Sequence, residues 1–368
     1  MPDATPSQPP SNTPASGLSH AERLAALRII DANANRASEG LRVVEEHCRF
    51  VLADRYLTSQ CKALRHDLAT ALAIIPTEQL LAARDTQGDV GTRVTTPQEQ
   101  SRSSLRDVVG ANWQRVEQAL RAIEEYGKLL GLNAGQFEQL RYRAYTLAKA
   151  CEITRTSLDW LSGSRLYVLL DGGVSEQAFI ERASVLISAG VHILQLRDKR
   201  LDDRTLLART KLLRQVIDEG DIRNGGPLLI VNDRPDIALL ARADGVHLGQ
   251  DELKLADARS IVGPEMLIGI STHTLEQARQ AVFDGANYLG CGPTFPSGTK
   301  QFDQLAGLDF LRAVASEISL PAFAIGGITR AHLSQVIATG FTRIAVSGAI
   351  ATSSSPAEEV KALLAALA

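Results

Sequence analysis

The chain has 368 residues, with 39 Lys and Arg against 42 Asp and Glu, 45% hydrophobic residues and a formal net charge of −3. That length points to two domains, or to one barrel with an appendage. The nearly balanced charge gives no broad electrostatic reason to bind nucleic acid or an anionic membrane, which leaves small or charged ligands as the better candidates. Cys48, Cys61, Cys151 and Cys291 lie far apart with no CxxC pair. This argues against a disulfide framework or a zinc site and suits reduced thiols in a cytoplasmic protein.

In chain order, residues 1–17 carry Pro2, Pro6, Pro9, Pro10 and Pro14 among Ser, Thr and Gln, too little apolar surface for anything but a disordered tail. No apolar run approaches the roughly 20 residues of a membrane helix. Ser19 with Glu22 reads as a capping box that opens an all-helical domain, expected over 18–160. Leu27, Ile30, Ala34, Ala37, Leu41, Val44, Cys48 and Val51 form one helical stripe. The segment from Arg36 to Glu46 recurs 79 residues later from Arg115 to Glu125, and each copy precedes a helix carrying Leu-Arg, Leu64-Arg65 and Leu140-Arg141. Two related hairpins about a pseudo-twofold axis would explain the repeat, joined by a loop from Arg84 to Thr96.

From Arg165 onward short apolar runs alternate with amphipathic segments. Eight runs are expected as strands: Leu166–Leu170, Val191–Leu196, Leu228–Val231, Gly245–Leu248, Met266–Ile270, Asn287–Gly290, Ala322–Ile325 and Arg343–Val346. An open doubly wound sheet would also read this way. Eight units in about 200 residues, with no GxGxxG or Walker loop after the first strand, favour a (β/α)8 barrel over 165–368. The fold class is thus α/β, a TIM barrel preceded by a helical domain. Asp171, Arg197, Lys199, Asn232, Asp233, Ser271 and Gly326-Gly327 fall at or just past strand ends, the positions that converge on one barrel mouth.

Strand alternation puts Gln195, Arg197 and Lys199 on one face, suited to a phosphate or diphosphate. Asp233 and the Asp251-Glu252 pair stand at neighbouring strand ends, where two carboxylates could share Mg²⁺. The alternative is that Asp233 pairs with Arg234 while Asp251 and Glu252 cap the next helix. His247 reads as a core histidine and His273 as the better candidate for a polar contact. The loop Gly292-Pro-Thr-Phe-Pro-Ser297-Gly298-Thr299-Lys300 combines turn residues, hydroxyls and a cation. Gly326-Gly327 and Ser347-Gly348 end the seventh and eighth strands, where backbone amides commonly bind phosphate in barrels. A Mg-assisted site beside a metal-free phosphate site suggests joining two phosphorylated compounds, with diphosphate leaving from one.

The ordered motifs Gln195-Leu-Arg-Asp-Lys199, Asn232-Asp233, Asp244-Gly-Val-His-Leu-Gly-Gln250, Gly269-Ile-Ser271-Thr-His273, Gly292 to Lys300 and Ala324-Ile-Gly-Gly-Ile328 closely resemble the thiamine phosphate synthase family. The resemblance implies a transferase in thiamine biosynthesis. Its reaction is displacement of diphosphate from hydroxymethylpyrimidine diphosphate by the ring nitrogen of a thiazole phosphate, with Mg²⁺ as cofactor. It implies that Gln195, Leu196, Arg197, Asp198, Lys199, Asn232, Ser271 and Lys300 hold the pyrimidine diphosphate, with Arg197, Lys199 and Lys300 neutralising the departing charge. Ser297, Gly298, Thr299, Gly327, Ser347 and Gly348 would receive the thiazole phosphate. Asp233 is one implied metal ligand; the second falls at Glu252, with Asp251 beside it as the alternative.

The helical half resembles a domain fused ahead of this synthase in some bacteria, for which pyrimidine-phosphate kinase activity has been proposed. Arg84-Asp-Thr-Gln-Gly-Asp-Val-Gly-Thr92 is similar to that domain's polar loop. The pairs Arg42/Glu46 and Arg121/Glu125 would either bridge the twofold or line a cleft, so a kinase and a dimerising scaffold, with a homodimer through this half, both stand. For the whole chain, a thiazole tautomerase of the same barrel family and a non-catalytic thiamine-metabolite sensor are the alternatives.

Overall fold

The computed structural model describes residues 17–93, 101–220, 226–296 and 304–367. Residues 1–16 of the expected tail, residues 94–96 of the expected loop, and Ser297, Gly298, Thr299 and Lys300 lie outside the described residues. The chain divides into two compact units. One holds residues up to Val51 together with Thr58–Ala148; the other holds Leu52–Leu57 together with Lys149 onward.

The helical unit is built on α1 (His20–Phe50), α2 (Arg55–Leu72), α3 (Thr77–Ala83), α4 (Leu105–Leu129) and α5 (Ala134–Trp160). Ser19 and Glu22 close the expected capping box on α1, satisfying two amides that the first turn would otherwise leave unbonded. Leu27, Ile30, Ala37, Leu41, Val44 and Cys48 are buried as one stripe. Val51 departs from it because α1 ends at Phe50, leaving that side chain exposed. The repeat-related helices α1 and α4 meet at Gly40, where a Cβ would stand 2.8 Å from Val116 Cγ2. Helix α3 was not legible as a helix in the sequence; Ala83 at its end packs with Leu27, Ile30 and Ile75.

The repeat also organises charge. Glu45 accepts from Arg42 (3.4 Å) on its own helix and from Arg65 (3.1 Å) on α2. Glu124 likewise accepts from Arg121 (2.7 Å) and from Arg141 (2.9 Å) on α5. Arg42 and Arg121 therefore bond along their own helices rather than across the twofold. One pair that joins the hairpins is Arg143–Asp67 at 2.7 Å, and the offset that matches Arg65 to Arg141 matches these two positions as well.

The second unit is a closed, all-parallel barrel in the order β1-β2-β3-β4-β5-β6-β7-β8. The strands are β1 (Leu166–Leu170), β2 (Ile193–Leu196), β3 (Leu228–Asn232), β4 (Gly245–Leu248), β5 (Leu267–Thr272), β6 (Tyr288–Cys291), β7 (Ala322–Ile325) and β8 (Ile344–Val346). All eight expected runs are strands, three with the expected bounds and five with ends shifted by one or two residues; β5 runs on through Ser271, which therefore sits within a strand. The helices are α6 (Glu176–Ser188), α7 (Asp203–Glu219), α8 (Pro235–Leu240), α9 (Leu255–Val262), α10 (Leu275–Asp284), α11 (Gly307–Glu317), α12 (Leu333–Ile337), α13 (Gly348–Ala351) and α14 (Pro356–Ala366). No helix among the described residues is long and apolar enough to cross a membrane.

Tyr167, Ile193, Ile230, Leu267, Tyr288, Phe323 and Ala345, one from each strand except β4, fill the barrel interior together with Leu161. At that level β4 contributes Gly245. Leu161 follows α5, so the barrel core draws on residues before the expected boundary at 165. The last turns of α5 are held to the barrel by Ser157, whose Oγ accepts from Asn287 Nδ2 (3.3 Å), and by Lys149, which donates to the Asp284 carbonyl (2.9 Å). The Leu52–Leu57 segment is also fastened, since Asp54 Oδ2 accepts from Ser319 N at 2.8 Å.

Candidate active site

The inward register of β2 continues from Ile193 through Gln195 to Arg197, so the strand delivers an amide and a guanidinium to the C-terminal mouth. Leu196 alternates to the other face and is fully buried; only its backbone could meet a ligand. Asp198 accepts from the amides of Gly172 (3.2 Å) and Arg200 (3.0 Å) and from the Arg200 guanidinium (2.9 and 2.8 Å). These bonds, the Arg200 side chain first, pull its carboxyl down to about 2. Asp198 thus shapes the turn that presents its neighbours. Arg197 makes no side-chain hydrogen bond or ion pair among the described residues, which leaves its planar fork available to an anion.

Lys199 lies 2.9 Å from Asp233 Oδ2 and 3.3 Å from Glu252 Oε1. The Asp233 hydrogen bond is the larger of the influences that hold this ammonium above its ordinary value. Three expected site residues from β2, β3 and β4 are thereby brought together, with Glu252 the carboxylate that reaches Lys199 beside Asp233. The competing pairings do not form. Arg234 is taken by Asp236 (2.7 Å) and by Asp203, and α9 is capped at Lys254 with no side-chain cap bond. Asp233 has φ +62°, a left-handed conformation that costs a non-glycine residue energy and is found most often where function demands it. Its amide donates to the His247 carbonyl at 2.8 Å.

Beneath these charges runs a set of buried polar groups that sequence reasoning missed. Gln195 Nε2 donates to the Tyr167 hydroxyl (2.7 Å), which lies 3.1 Å from the Tyr288 hydroxyl. Tyr288 is 3.3 Å from His247 Nδ1, and His247 Nε2 is 3.0 Å from Ser271 Oγ. Burial pushes His247 down to about 4 against the opposing pull of Asp233, so the ring is neutral near pH 7. Tyr288 fits because β5 carries Gly269, where a Cβ would fall 2.1 Å from the phenol ring. The available signal was a glycine and two tyrosines on the inward register of apolar strands. His273 is committed elsewhere, with Nδ1 against the Gly292 carbonyl. Asn232 closes β3 beside Asp233 and is half-buried.

On the other side of the mouth, the loop after β6 is stitched to the end of β7. Thr294 N donates to the Ile325 carbonyl (2.9 Å) and Phe295 N to the Gly326 carbonyl (3.0 Å). Gly327 has φ +65°, and a Cβ there would stand 2.4 Å from the Pro296 carbonyl, so only glycine lets the two loops approach this closely. Ser347 and Gly348 begin α13 directly after β8, next to β7 in the barrel.

A closed parallel barrel with an unpaired guanidinium, a lysine between two carboxylates and a glycine-lined loop at its C-terminal rim defines a (β/α)8 enzyme for anionic small molecules. Residues 166–350 match the family described as thiamine monophosphate synthase, and residues 28–150 match the ThiD2 family. A thiamine-phosphate synthase of Rhodopirellula baltica is 46% identical over 344 residues, covering 91% of this chain and 90% of that one. One of Gloeobacter violaceus is 44% identical, covering 91% and 95%. Among solved structures, a thiamine phosphate pyrophosphorylase from Pyrococcus furiosus is 31% identical with a TM-score of 0.49, covering 55% of this chain and 95% of that one. The chain belongs to the thiamine-phosphate synthase family, and the protein is a transferase.

Proposed function

We propose that the barrel joins hydroxymethylpyrimidine diphosphate to the ring nitrogen of a thiazole phosphate, giving thiamine phosphate and free diphosphate, with Mg²⁺ as cofactor. The observation that carries this reading is the meeting of Lys199 with Asp233 and Glu252 at successive strand ends. Two carboxylates beside a lysine and a free arginine suit a hard divalent cation and the diphosphate it accompanies. Asp233 and Glu252 would hold Mg²⁺, which when bound supplies neutralising charge to the leaving group. A thiazole tautomerase would have no use for this cluster.

Arg197 and Lys199 would grip the diphosphate, with Lys300 as a further cation, and the charge they meet grows as the methylene carbon–oxygen bond breaks. The electron pair leaves with diphosphate, and the aminopyrimidine ring spreads the positive charge left on the methylene carbon. The thiazole nitrogen then forms the new bond with its lone pair, so no general base is required. Gln195, Asn232 and Ser271 would orient the pyrimidine. Gly327, Ser347 and Gly348, with Ser297, Gly298 and Thr299, would bind the thiazole phosphate through amides and hydroxyls.

For the helical unit we propose phosphorylation of hydroxymethylpyrimidine phosphate by ATP; the ThiD2 match over residues 28–150 supports it. Arg42 and Arg121 are not offered as phosphate ligands, because both are spent on their own helices. The test supplies the full chain with Mg²⁺ and both phosphorylated precursors. Thiamine phosphate and diphosphate should form in equal amounts, and a chain with no product would end the synthase reading. Replacing the pyrimidine diphosphate by the monophosphate plus ATP should still yield product, and unconsumed ATP would end the kinase reading alone.

A further inference from the structure

We propose that Tyr167, Tyr288 and His247 form a hydrogen-bond relay that ties the donor or acceptor role of Gln195 to that of Ser271, and so favours a pyrimidine carrying an amino group over one carrying an oxo group. The inference rests on the assignment of Gln195 and Ser271 to the pyrimidine.

Four contacts in series share a fixed number of protons. Gln195 is 2% exposed, and its Nε2 donates to Tyr167 at 2.7 Å. Each tyrosine owns one hydroxyl proton, and a neutral imidazole owns one N–H. With its oxygen receiving from Gln195, Tyr167 sends its proton to Tyr288 across 3.1 Å. Tyr288 then sends its own to His247 Nδ1 across 3.3 Å. That leaves the imidazole proton on Nε2, directed at Ser271 Oγ at 3.0 Å. The Ser271 hydroxyl proton is then free for a ligand acceptor. At the other end, Gln195 Oε1 receives no hydrogen bond among the described residues and is free for a ligand donor.

The links cannot be reversed one at a time. Turning the Gln195 amide over would require Tyr167 to donate to it, Tyr288 to donate to Tyr167, His247 to carry its proton on Nδ1, and Ser271 to donate to Nε2. A mixed arrangement puts two protons, or none, between one pair of buried atoms, and so leaves a buried donor or acceptor unsatisfied. The interior geometry holds the chain in place: Gly269 clears the Tyr288 ring, His247 stacks on Tyr288 with centroids 5.5 Å apart, and Phe323 meets both tyrosines edge-on. A 4-aminopyrimidine offers an amine proton to Gln195 Oε1 and a ring-nitrogen lone pair to Ser271. The 4-oxo analogue presents an acceptor where the amine stood and a ring N–H beside it, so it would have to invert every link.

The test uses the full chain with Mg²⁺ and thiazole phosphate. It compares kcat/KM for 4-amino and 4-oxo pyrimidine diphosphates in the wild type, Tyr288→Phe and Tyr167→Phe. Each phenylalanine cuts the relay and frees the ends to adapt separately, so the preference for the amino substrate should fall by about tenfold or more, while KM for thiazole phosphate stays unchanged. In parallel, ¹⁵N NMR of histidine-labelled protein should show His247 as the Nε2–H tautomer in the wild type and as a mixture in Tyr288→Phe. An unchanged preference in an active variant, or an Nδ1–H tautomer in the wild type, would overturn the relay. If Tyr288→Phe does not fold, Tyr167→Phe and the wild-type spectrum still decide. A wild type that couples neither pyrimidine would sink the synthase reading, and the tautomer comparison would still judge the relay.

Discussion

The helical unit and the barrel mouth treat charge in opposite ways. In the helical unit four arginines at repeat-related positions are matched, since Glu45 takes Arg42 and Arg65 and Glu124 takes Arg121 and Arg141, and Asp31 takes Arg84 through two bonds of 2.7 Å. At the mouth Arg197 has no side-chain partner among the described residues, Asp233 adopts a strained backbone and one lysine serves two carboxylates. Closed networks spend their charge on the fold, whereas a surplus held in place by strands is charge kept for a ligand. Substitutions should therefore separate the two regions, with activity lost on one side and stability on the other.

The largest expected effect is at Asp233. Asp233→Ala should lower synthase turnover by more than about a hundredfold and flatten its Mg²⁺ dependence, because the proposed metal site would lose a direct ligand. Thermal unfolding should hardly change, since the substitution sheds one carboxylate from a crowded set. Glu252→Ala should follow at a smaller loss, and Asp251→Ala should stay near wild type in Mg²⁺ titrations of activity. A larger loss at Asp251 would mean that the contact to Lys199 marks the wrong carboxylate.

Glu124→Ala should behave in reverse. It leaves Arg141, whose side chain is only 10% exposed, with the Tyr145 hydroxyl at 3.4 Å and the outlying Glu138 at 4.0 Å, and breaking a buried pair from one side costs up to about 3–5 kcal/mol. Denaturation should register that loss, while kcat of the protein that remains folded should match wild type. A fall in synthase kcat at full folding would show that this network reaches the barrel chemistry.

The eight strands were legible because buried parallel strands write themselves as continuous apolar runs. The mouth was legible because residues at strand ends converge whatever the loops do, so Lys199, Asp233 and the Asp251-Glu252 pair could be gathered from order, whereas only the family resemblance singled out Glu252. Tyr167 and Tyr288 were not, because a tyrosine in an apolar run looks like core until its hydroxyl finds partners on other strands. Leu161 was missed for another reason. It follows a helix whose pattern belongs to the first half of the sequence, and only the closed barrel shows that the side chain, 0% exposed, fills its interior. Leu161→Ala should therefore cost about 2–4 kcal/mol in the unfolding of the barrel. A fragment starting at residue 149 should be more stable than one starting at 165 by at least that amount in urea titrations.

The smallest effect sharpens the contrast inside the mouth itself, where Asp198 sits one residue from Lys199 yet belongs to the fold. Its carboxyl is 3% exposed and is drawn down to about 2, first by the Arg200 side chain and then by two amides, against the cost of burial. A carboxylate lowered from about 3.9 in the unfolded chain stabilises the native state fully above that value and loses the benefit as pH falls toward 2. Because Arg200 is largely exposed, solvent screens part of the pairing, and the contribution near neutral pH is about 1–2 kcal/mol. Asp198→Asn should lower the unfolding free energy at pH 7 by that amount and remove the matching slope between pH 4 and pH 2. Turnover at saturating substrate should drop less than tenfold, because the amide oxygen can keep accepting from Arg200 N while only the Gly172 bond is lost, and so preserve most of the turn that presents Arg197 and Lys199. A loss as deep as that of Asp233→Ala would place this carboxylate on the ligand rather than under it.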